Sequence, residues 1–191
     1  MYHNLLKNSN FHALFEAIDD DLAEISRKEA CCHCGGPLYQ ANYPRSPLGL
    51  PPSCREYYST RRSLCCGRAK CRKRTTTPSV RFFGRRRFPA VIILLISAFM
   101  AGSSRRRYHQ VKRYFGINLS FRTWVRWRRW WKECFIETAF WKQAKAHLPQ
   151  ITLADPFPRQ FLLVYAGLLK QRLEKVLKFL APLTAGVYRA V

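Results

Sequence analysis

The sequence predicts an α+β protein that is mostly α-helical. Residues 10–29, 88–145 and 161–180 have helical patterns of apolar residues. Residues 31–84 lack that pattern, are rich in Pro, Gly, Ser and Thr, and contain seven of the eight cysteines. Short strands around a metal ion fit this composition best. We therefore expect a small cysteine-rich unit followed by a three-helix bundle, with one further helix at each end of the chain.

The first predicted unit, residues 1–29, is an acidic amphipathic helix with Asn10 as a possible N-cap. Its apolar positions recur every three or four residues: Phe11, Leu14, Phe15, Ile18, Leu22 and Ile25. The same segment holds six of the eleven acidic residues. Two interpretations stay open: an ordinary solvated face, or an acidic face that docks on the basic body or mimics DNA.

The charge of the chain is strongly unbalanced. It carries 34 Lys and Arg residues against 11 Asp and Glu, a formal net charge of +23. Between Tyr57 and Lys132 there are 21 basic residues, no acidic residue and four of the five tryptophans. This window cannot neutralise itself by internal ion pairs, so its composition favours a polyanionic partner, first of all a nucleic acid.

The second predicted unit, residues 30–86, contains two cysteine pairs with metal-ligand spacing. Cys31 and Cys34 are followed by two glycines, as in a zinc knuckle, and Cys66 and Cys71 supply the second pair. Four thiolates in a tetrahedron make a closed structural Zn²⁺ site with no open position for catalysis. We therefore predict these four residues as zinc ligands.

The remaining cysteines leave the ligand set open at this stage. Cys65 in place of Cys66 gives an equally allowed spacing, and Cys54 could replace either member of the second pair. Cysteines outside the ligand set are expected to be small buried residues: Cys32, Cys54, Cys65 and Cys134. The N-terminal residues show no secretory signal peptide, so we expect a reducing, cytoplasmic compartment, in which disulfides are uncommon.

One segment, residues 88–102, has no charge across fifteen residues. As a helix it would span about 22 Å, which is short of the ~30 Å hydrocarbon core of a bilayer. Arginine triplets at 85–87 and 105–107 flank it equally, so no charge asymmetry would orient it in a membrane. We therefore favour a helix that is buried within the protein.

Residues 107–131 carry the clearest functional pattern. Val111, Tyr114 and Phe115 mark the apolar face of one helix. Gly116 stands where this helix should end, and Ser120 can cap the next helix. The second helix is expected to bury a stripe made of Trp124, Trp127 and Trp131. Its other side carries Phe121, Arg122, Val125, Arg126 and Arg129. A helix with these two faces suits the major groove of DNA.

The order of helix, glycine-containing turn, Ser-x-x-Thr and Arg-Trp run resembles the helix-turn-helix of transposase and resolvase DNA-binding domains. The resemblance covers residues 88–131, within a predicted unit of residues 87–146, and implies that the buried helix is the first of three. The cysteine-rich unit separately resembles the zinc ribbons that precede such domains in mobile-element proteins. Together the resemblances imply a zinc-containing, transposon- or phage-associated regulator or accessory factor.

The resemblance also implies roles for individual residues. Arg122 and Arg126 would contact base edges, and Phe121 would contact a thymine methyl group. Ser120 and Thr123 belong to the same predicted DNA-binding set. Phosphates would be contacted by the arginines at 85–87 and by Lys112, Arg113, Arg129, Arg105, Arg106 and Arg107.

Double-stranded DNA is therefore the expected partner, and the protein is expected to be nucleoid-associated and not an enzyme. A transposase or nuclease would need carboxylates that converge on Mg²⁺. After residue 57 the chain offers only Glu133, Glu137, Asp155 and Glu174. The main alternative is a basic zinc-ribbon protein that associates with RNA or the ribosome, with Tyr57, Tyr58 and Phe83 as exposed stacking platforms. A membrane-surface protein is a further, less favoured alternative.

The last predicted unit, residues 147–191, is a proline-containing linker followed by one amphipathic helix. Its apolar residues recur on one side: Phe161, Leu162, Tyr165, Leu168, Leu169, Leu173, Val176, Leu177 and Leu180. This helix could pack on the bundle or pair with a second copy, so a homodimer or a partner from the transposition or transcription machinery is possible.

Overall fold

The computed structural model describes residues 2–84, 86–98, 104–148 and 157–185. It is mostly helical with small antiparallel sheets, which confirms the predicted α+β class. The α-helices are α1 (Tyr2–Leu6), α2 (Ser9–Lys28), α3 (Pro52–Arg55), α4 (Ala90–Ala98), α5 (Arg105–Phe115), α6 (Phe121–Arg129), α7 (Ala139–Ala144), α8 (Arg159–Val164) and α9 (Leu169–Leu180). The strands are β1 (Leu38–Gln40), β2 (Tyr43–Pro44), β3 (Thr60–Arg61), β4 (Ser63–Cys66) and β5 (Arg74–Thr76).

Helix α2 begins at Ser9, two residues before the start that an N-cap at Asn10 would give. Its N-cap is Asn8, whose Oδ1 accepts a hydrogen bond from the Phe11 amide at 3.1 Å, so the prediction of Asn10 was wrong. The predicted apolar face is buried at Phe11, Phe15 and Ile18. The helix therefore lies against the body of the protein.

The acidic face of α2 docks on the basic body through a buried ion pair. Asp19 and Arg81 are both fully buried, and Asp19 Oδ2 accepts from Arg81 Nε at 2.8 Å and from Ser79 Oγ at 2.6 Å. Asp19 Oδ1 accepts from the Val80 amide at 2.7 Å. Arg81 Nη1 also donates to Glu16 Oε1 at 3.0 Å. The structure therefore supports docking of the acidic face on the basic body at Glu16 and Asp19.

Helix α4 lies at the centre of the main core. All of its residues are buried, and it packs against α6, α8 and α9. One apolar cluster extends from Leu6 to Ala181 and includes Phe11, Trp124 and Trp131. No helix in the described residues is long and apolar enough to cross a membrane.

The C-terminal region forms two helices instead of the single predicted one. The chain turns between α8 and α9, where Gly167 adopts a φ of +111°, which a residue with a Cβ rarely adopts. Leu168, which was predicted to be in the core, is 76% exposed. Helix α9 packs on the body of the protein, which was one of the two predicted possibilities. Its buried residues belong to the main core: Leu173, Val176, Leu177 and Leu180. The prolines at 149 and 156 lie outside the described residues.

Five short strands form two sheets near the cysteines. The larger sheet has the antiparallel order β1-β4-β5, and β2 pairs with β3. In the larger sheet Cys66 lies opposite Leu38, and Cys65 lies opposite Tyr39. Adjacent residues of a strand point to opposite faces, so this register directs Cys65 and Cys66 to different sides.

His12 on α2 is also buried, between two hydrogen-bonding partners. Its Nδ1 lies 3.0 Å from Tyr58 Oη, and its Nε2 lies 3.0 Å from the Leu6 carbonyl oxygen. Burial lowers the pKa of His12 below its ordinary value of 6.5, although the hydrogen bond to Leu6 acts in the opposite direction. Its neutral form therefore stabilises the fold.

We predict that Asp19→Asn destabilises the protein by about 3 kcal/mol, the lower end of the range for a broken buried ion pair. The substitution removes the fully buried charge partner of Arg81 and leaves the partly exposed Glu16 as its remaining carboxylate partner. The measurement is the free energy of unfolding in urea. Asp21→Asn is the matched control: Asp21 is exposed on the same helix, and its loss should change stability by less than about 0.5 kcal/mol. Equal effects of the two substitutions would contradict the assigned role of Asp19.

We also predict that His12 makes stability fall at acidic pH. The unfolded chain takes up this proton at a higher pH than the folded chain, so the contribution of His12 is complete above pH 6.5 and is lost as pH falls toward the folded pKa. This group can add a slope of at most about 1.4 kcal/mol per pH unit. Urea unfolding between pH 5 and 8 should show a shallower slope for His12→Gln, but not for His109→Gln at an exposed position.

Candidate metal centre and basic surfaces

The structure brings the four predicted cysteine ligands together. The Sγ atoms of Cys31, Cys34, Cys66 and Cys71 lie within 4.8 Å of one another. Two of these separations are 3.8 Å, between Cys31 and Cys71, and 3.4 Å, between Cys34 and Cys66. A tetrahedron with Zn–S bonds of about 2.3 Å has S–S edges of about 3.8 Å. The four thiols therefore fit a four-coordinate metal ion.

The first cysteine pair lies on a tight turn that the glycines permit. The amides of Cys34 and Gly35 donate to the Cys31 carbonyl at 3.2 and 2.7 Å, and Gly35 has a left-handed φ of +65°. The Cys31 amide in turn donates to the Gly36 carbonyl at 2.9 Å. A hydrogen bond from the His33 backbone lowers the pKa of the Cys31 thiol to about 7, which favours the thiolate that a metal ion requires.

The second pair spans the end of β4 and the turn that follows. The Cys66 amide donates to the Lys73 carbonyl at 3.0 Å, and the Cys71 amide donates to the Arg68 carbonyl at 2.9 Å. The Arg68 Nη1 atom also donates to the Cys34 carbonyl at 2.7 Å. This side chain therefore links the two cysteine turns independently of a metal ion.

The other cysteines lie outside the cluster. Cys65 is on the opposite face of β4, with its Sγ 3.4 Å from the Arg72 carbonyl oxygen. Cys54 is buried beside the Lys7 carbonyl, as expected for a small apolar residue. Cys32 and Cys134 are exposed and Cys65 is half-buried, so the expectation that these three cysteines would be buried was wrong.

The cluster has its own small core, separate from the main one. Its buried members are Cys31, Leu38, Leu64 and Cys66. Around it, five exposed cations form what we call the knuckle ridge: Arg68, Lys70, Arg72, Lys73 and Arg74. The exposed side chain of Tyr39 lies beside this ridge, because the ring fills the space that a Cβ at Gly67 would occupy. Sequence reasoning counted these cations but did not group them as one surface.

Helices α5 and α6 are joined by a turn with well-defined caps. Gly116 ends α5 with a φ of +64°, and its amide donates to the Lys112 carbonyl at 3.0 Å. Ser120 is the N-cap of α6, and its Oγ accepts a hydrogen bond from the Thr123 amide at 3.1 Å. Tyr108 Oη donates to the carbonyl of Leu119 at 2.5 Å and so fixes the turn against α5.

The predicted aromatic stripe of α6 is confirmed, since Trp124, Trp127 and Trp131 are all buried. A single π turn, Trp130–Cys134, continues the helix beyond Arg129. On the opposite side the side chains are exposed at positions three and four residues apart: Arg122, Val125, Arg126 and Arg129. Helix α6 therefore presents a cationic face that rests on buried indole rings.

The other residues predicted to contact DNA occupy different environments. The cations of α5 are exposed: Arg105, Arg106, Arg107, Lys112 and Arg113. Tyr114 was predicted on the apolar face of the same helix but is 51% exposed, so that part of the prediction was wrong. Phe121 is half-buried, with its ring centroid 5.5 Å from that of Tyr108 and 5.7 Å from that of Trp124, so it contributes to packing. Thr123 is half-buried, and its Oγ1 lies 2.8 Å from Ser120 Oγ. Arg129 pairs with Glu133 at 2.6 Å.

Two of the aromatic residues suggested for RNA stacking are not accessible. Tyr58 is fully buried against His12 and Phe82, and Phe83 is only 5% exposed, against Trp130 and Trp131. The third residue of that set, Tyr57, is half-buried and therefore partly accessible. Sequence alone could not show this, because the burial depends on residues that are distant in the chain.

The acidic residues that follow residue 57 are mostly paired with cations. Glu137 lies 2.9 Å from Lys142, and Glu174 lies 2.8 Å from Lys178. Glu133 pairs with Arg129, as described above. Asp155 lies outside the described residues. In the described part of the chain, a metal ion could be held by a group of three or more neighbouring His, Cys, Asp or Glu side chains. The four cysteines form such a group, and none of these glutamates belongs to it.

Comparison with known proteins gives no relative from which a role could be transferred. No protein-family model matches the chain, and neither a curated protein nor a solved structure matches it. The function must therefore be inferred from the residues and their geometry.

We predict that the purified protein binds one Zn²⁺ per chain and that Cys66→Ser or Cys71→Ser abolishes this binding. Cys65→Ser is the matched control, because Cys65 is on the other face of the same strand. Native mass spectrometry measures the stoichiometry, and the absorption of Co²⁺-loaded protein reports tetrahedral thiolate ligands. Loss of the metal in Cys65→Ser, or its retention in both other variants, would show that the ligand set is wrong.

Proposed function

We propose that this is a zinc-stabilised protein that binds duplex DNA with α6 and does not act as an enzyme. The observation that carries the proposal is the arrangement of α6, in which exposed Arg122, Val125 and Arg126 lie opposite buried Trp124 and Trp127. The major groove, about 12 Å wide, admits one α-helix. The capped turn at Gly116 and Ser120 supports α6 on a rigid frame, as a recognition helix requires.

In this proposal Arg122 contacts a base edge, because it lies in the first turn of α6, where recognition helices contact bases. A bidentate Arg–guanine contact discriminates against other bases by about 1–3 kcal/mol. The exposed α5 cations and the knuckle ridge contact phosphates. None of the α5 cations has a carboxylate partner within the described residues, so their charge is available to replace counterions on DNA.

The proposed role of zinc is structural. Four thiolates complete a tetrahedron and leave no open coordination position for a substrate. The ion would join the turn after Cys31 to the turn after Cys66, and would thereby fix the knuckle ridge relative to the sheet. The non-enzymatic role is further supported by the pairing of Glu133, Glu137 and Glu174 with neighbouring cations.

The resemblance of the α5–α6 pattern to mobile-element proteins supports a finer proposal. The protein would act as a transposon- or phage-associated regulator or accessory factor in the nucleoid. A homodimer would then read a site with dyad symmetry. Sequencing of the DNA fragments that the zinc-loaded protein selects from a random pool tests both points, because a symmetric motif requires two copies.

RNA is the second candidate partner, and Tyr39 is the observation that favours it. This side chain is 61% exposed and lies beside the knuckle ridge, so a base could stack on it while the ridge contacts phosphates. Competition between duplex DNA and structured RNA at one salt concentration distinguishes the candidates. If RNA competes better and Tyr39→Ala removes that advantage, RNA is the partner.

We predict that Arg122→Ala weakens binding to the selected duplex by about 1–3 kcal/mol and leaves binding to competitor DNA nearly unchanged. Arg105→Ala is the matched control: it removes one exposed cation from α5 and should weaken binding to both duplexes equally. It should also reduce the slope of log K against log salt by about one. Fluorescence anisotropy at several salt concentrations measures all of these quantities.

Two results would contradict the proposal. Equal affinity of the wild-type protein for the selected duplex and for competitor DNA would remove sequence-specific binding. Identical behaviour of Arg122→Ala and Arg105→Ala would show that α6 does not read bases.

A further inference from the structure

A cleft of about 650 Å³ lies between α6, the π turn that follows it and the loop that carries Phe83, Gly84 and Arg86. Three arginines line it, together with two indole rings: Arg86, Arg126, Arg129, Trp127 and Trp130. Its volume is within the range of about 300–1,000 Å³ that is usual for small-ligand sites. The cleft is on a different part of the molecule from the cysteine cluster.

The positive charge of this cleft is not balanced. Among the described residues that line it there is no Asp or Glu, and only Arg129 has a carboxylate partner, Glu133, which lies outside the lining. Arg86 and Arg126 have no such partner within the described residues. The pKa of Arg86 is lowered first by burial and then by the like charge of Arg126. An anion between these two guanidinium groups would remove that repulsion.

Packing holds Arg86 in place before any ligand is bound. Its guanidinium carbon lies 4.5 Å from the centroid of the Trp130 ring, in a cation–π arrangement. Its carbonyl oxygen accepts a hydrogen bond from Arg45 Nη2 at 2.5 Å, and Phe83 packs beside it on Trp130. An arginine that is already oriented loses little conformational freedom when it binds a ligand.

We propose that this cleft binds a phosphoryl group, held between the guanidinium groups of Arg86 and Arg126. Guanidinium groups present planar arrays of N–H donors that match phosphate oxygens in bidentate geometry. Because Arg86 is half-buried, solvent screens this charge-assisted contact less than it would at a fully exposed arginine. The cleft volume of about 650 Å³ leaves room for a group that is attached to the phosphate. The phosphoryl group belongs either to a free phosphate or mononucleotide, or to a nucleic-acid backbone.

This inference goes beyond duplex recognition by α6 and does not depend on it. It assigns Arg126 to the cleft and leaves Arg122 as the base-reading arginine of α6. It also distinguishes half-buried Arg86 from exposed Arg87, which charge counting could not do; Arg85 of the same predicted triplet lies outside the described residues.

The test uses the full-length, zinc-loaded protein and three probes: inorganic phosphate, AMP and a short DNA duplex. Isothermal titration calorimetry measures the affinity of each probe for the wild-type protein and for Arg86→Gln, Arg126→Gln and Lys175→Gln. The last variant is the matched control, because it removes one exposed cation from α9, outside the cleft lining and outside the residues proposed to contact DNA. Circular dichroism melting checks that each variant is folded. Arg86 packs on the Trp130 ring, so its substitution could disturb that packing, whereas Arg126 is exposed and its substitution should not.

We expect Arg86→Gln and Arg126→Gln to lower the affinity for at least one probe tenfold or more, while Lys175→Gln changes that affinity less than twofold. An effect on phosphate or AMP binding identifies a free ligand. An effect of Arg86→Gln on duplex binding alone identifies a backbone phosphate, because Arg86 lies outside α6. The inference is overturned if both cleft variants match Lys175→Gln for phosphate and AMP and Arg86→Gln also matches it for the duplex. If phosphate or AMP binds as expected but the duplex does not bind, only the proposal of duplex recognition fails.

Discussion

The buried ion pair between Asp19 and Arg81 is the contact on which the arrangement of the helices depends. Removal of two charges from water is costly, and here the cost is offset because each charged group has several hydrogen-bonding partners. Asp19 accepts from Ser79, Val80 and Arg81, which directly precede the loop leading into α4. The pair therefore fixes α2, and with it the entry to the helix around which α6, α8 and α9 pack.

The apolar character of α4 explains why the basic residues are displayed on the outside. A helix that is buried on every side supplies apolar contacts to several neighbours at once, so those neighbours need only one apolar face each. Helix α6 meets this requirement with Trp124 and Trp127, and its arginines remain at the surface. The net charge of +23 is thus compatible with a compact core, because most of it lies on outer faces.

Local patterns were sufficient to predict much of this arrangement. Periodicity located the tryptophan stripe, and the chemistry of Gly116 and Ser120 located the turn, because caps depend on neighbouring residues. The choice of Cys66 over Cys65 depends on strand register, which spacing cannot give. Three consecutive aspartates have different surroundings, buried at Asp19 and exposed at the next two positions, because their partners lie tens of residues away.

If the four cysteines bind a metal ion as proposed, the separation of the two apolar cores would make the cysteine region responsive to metal supply. Four buried residues around the cysteines are too few to hold that region folded without further support, whereas the main core does not include them. The free energy that a bound ion adds to the cysteine region grows with the logarithm of its free concentration. The order of the knuckle ridge would therefore follow the concentration of the proposed metal ion, while the helices stay assembled.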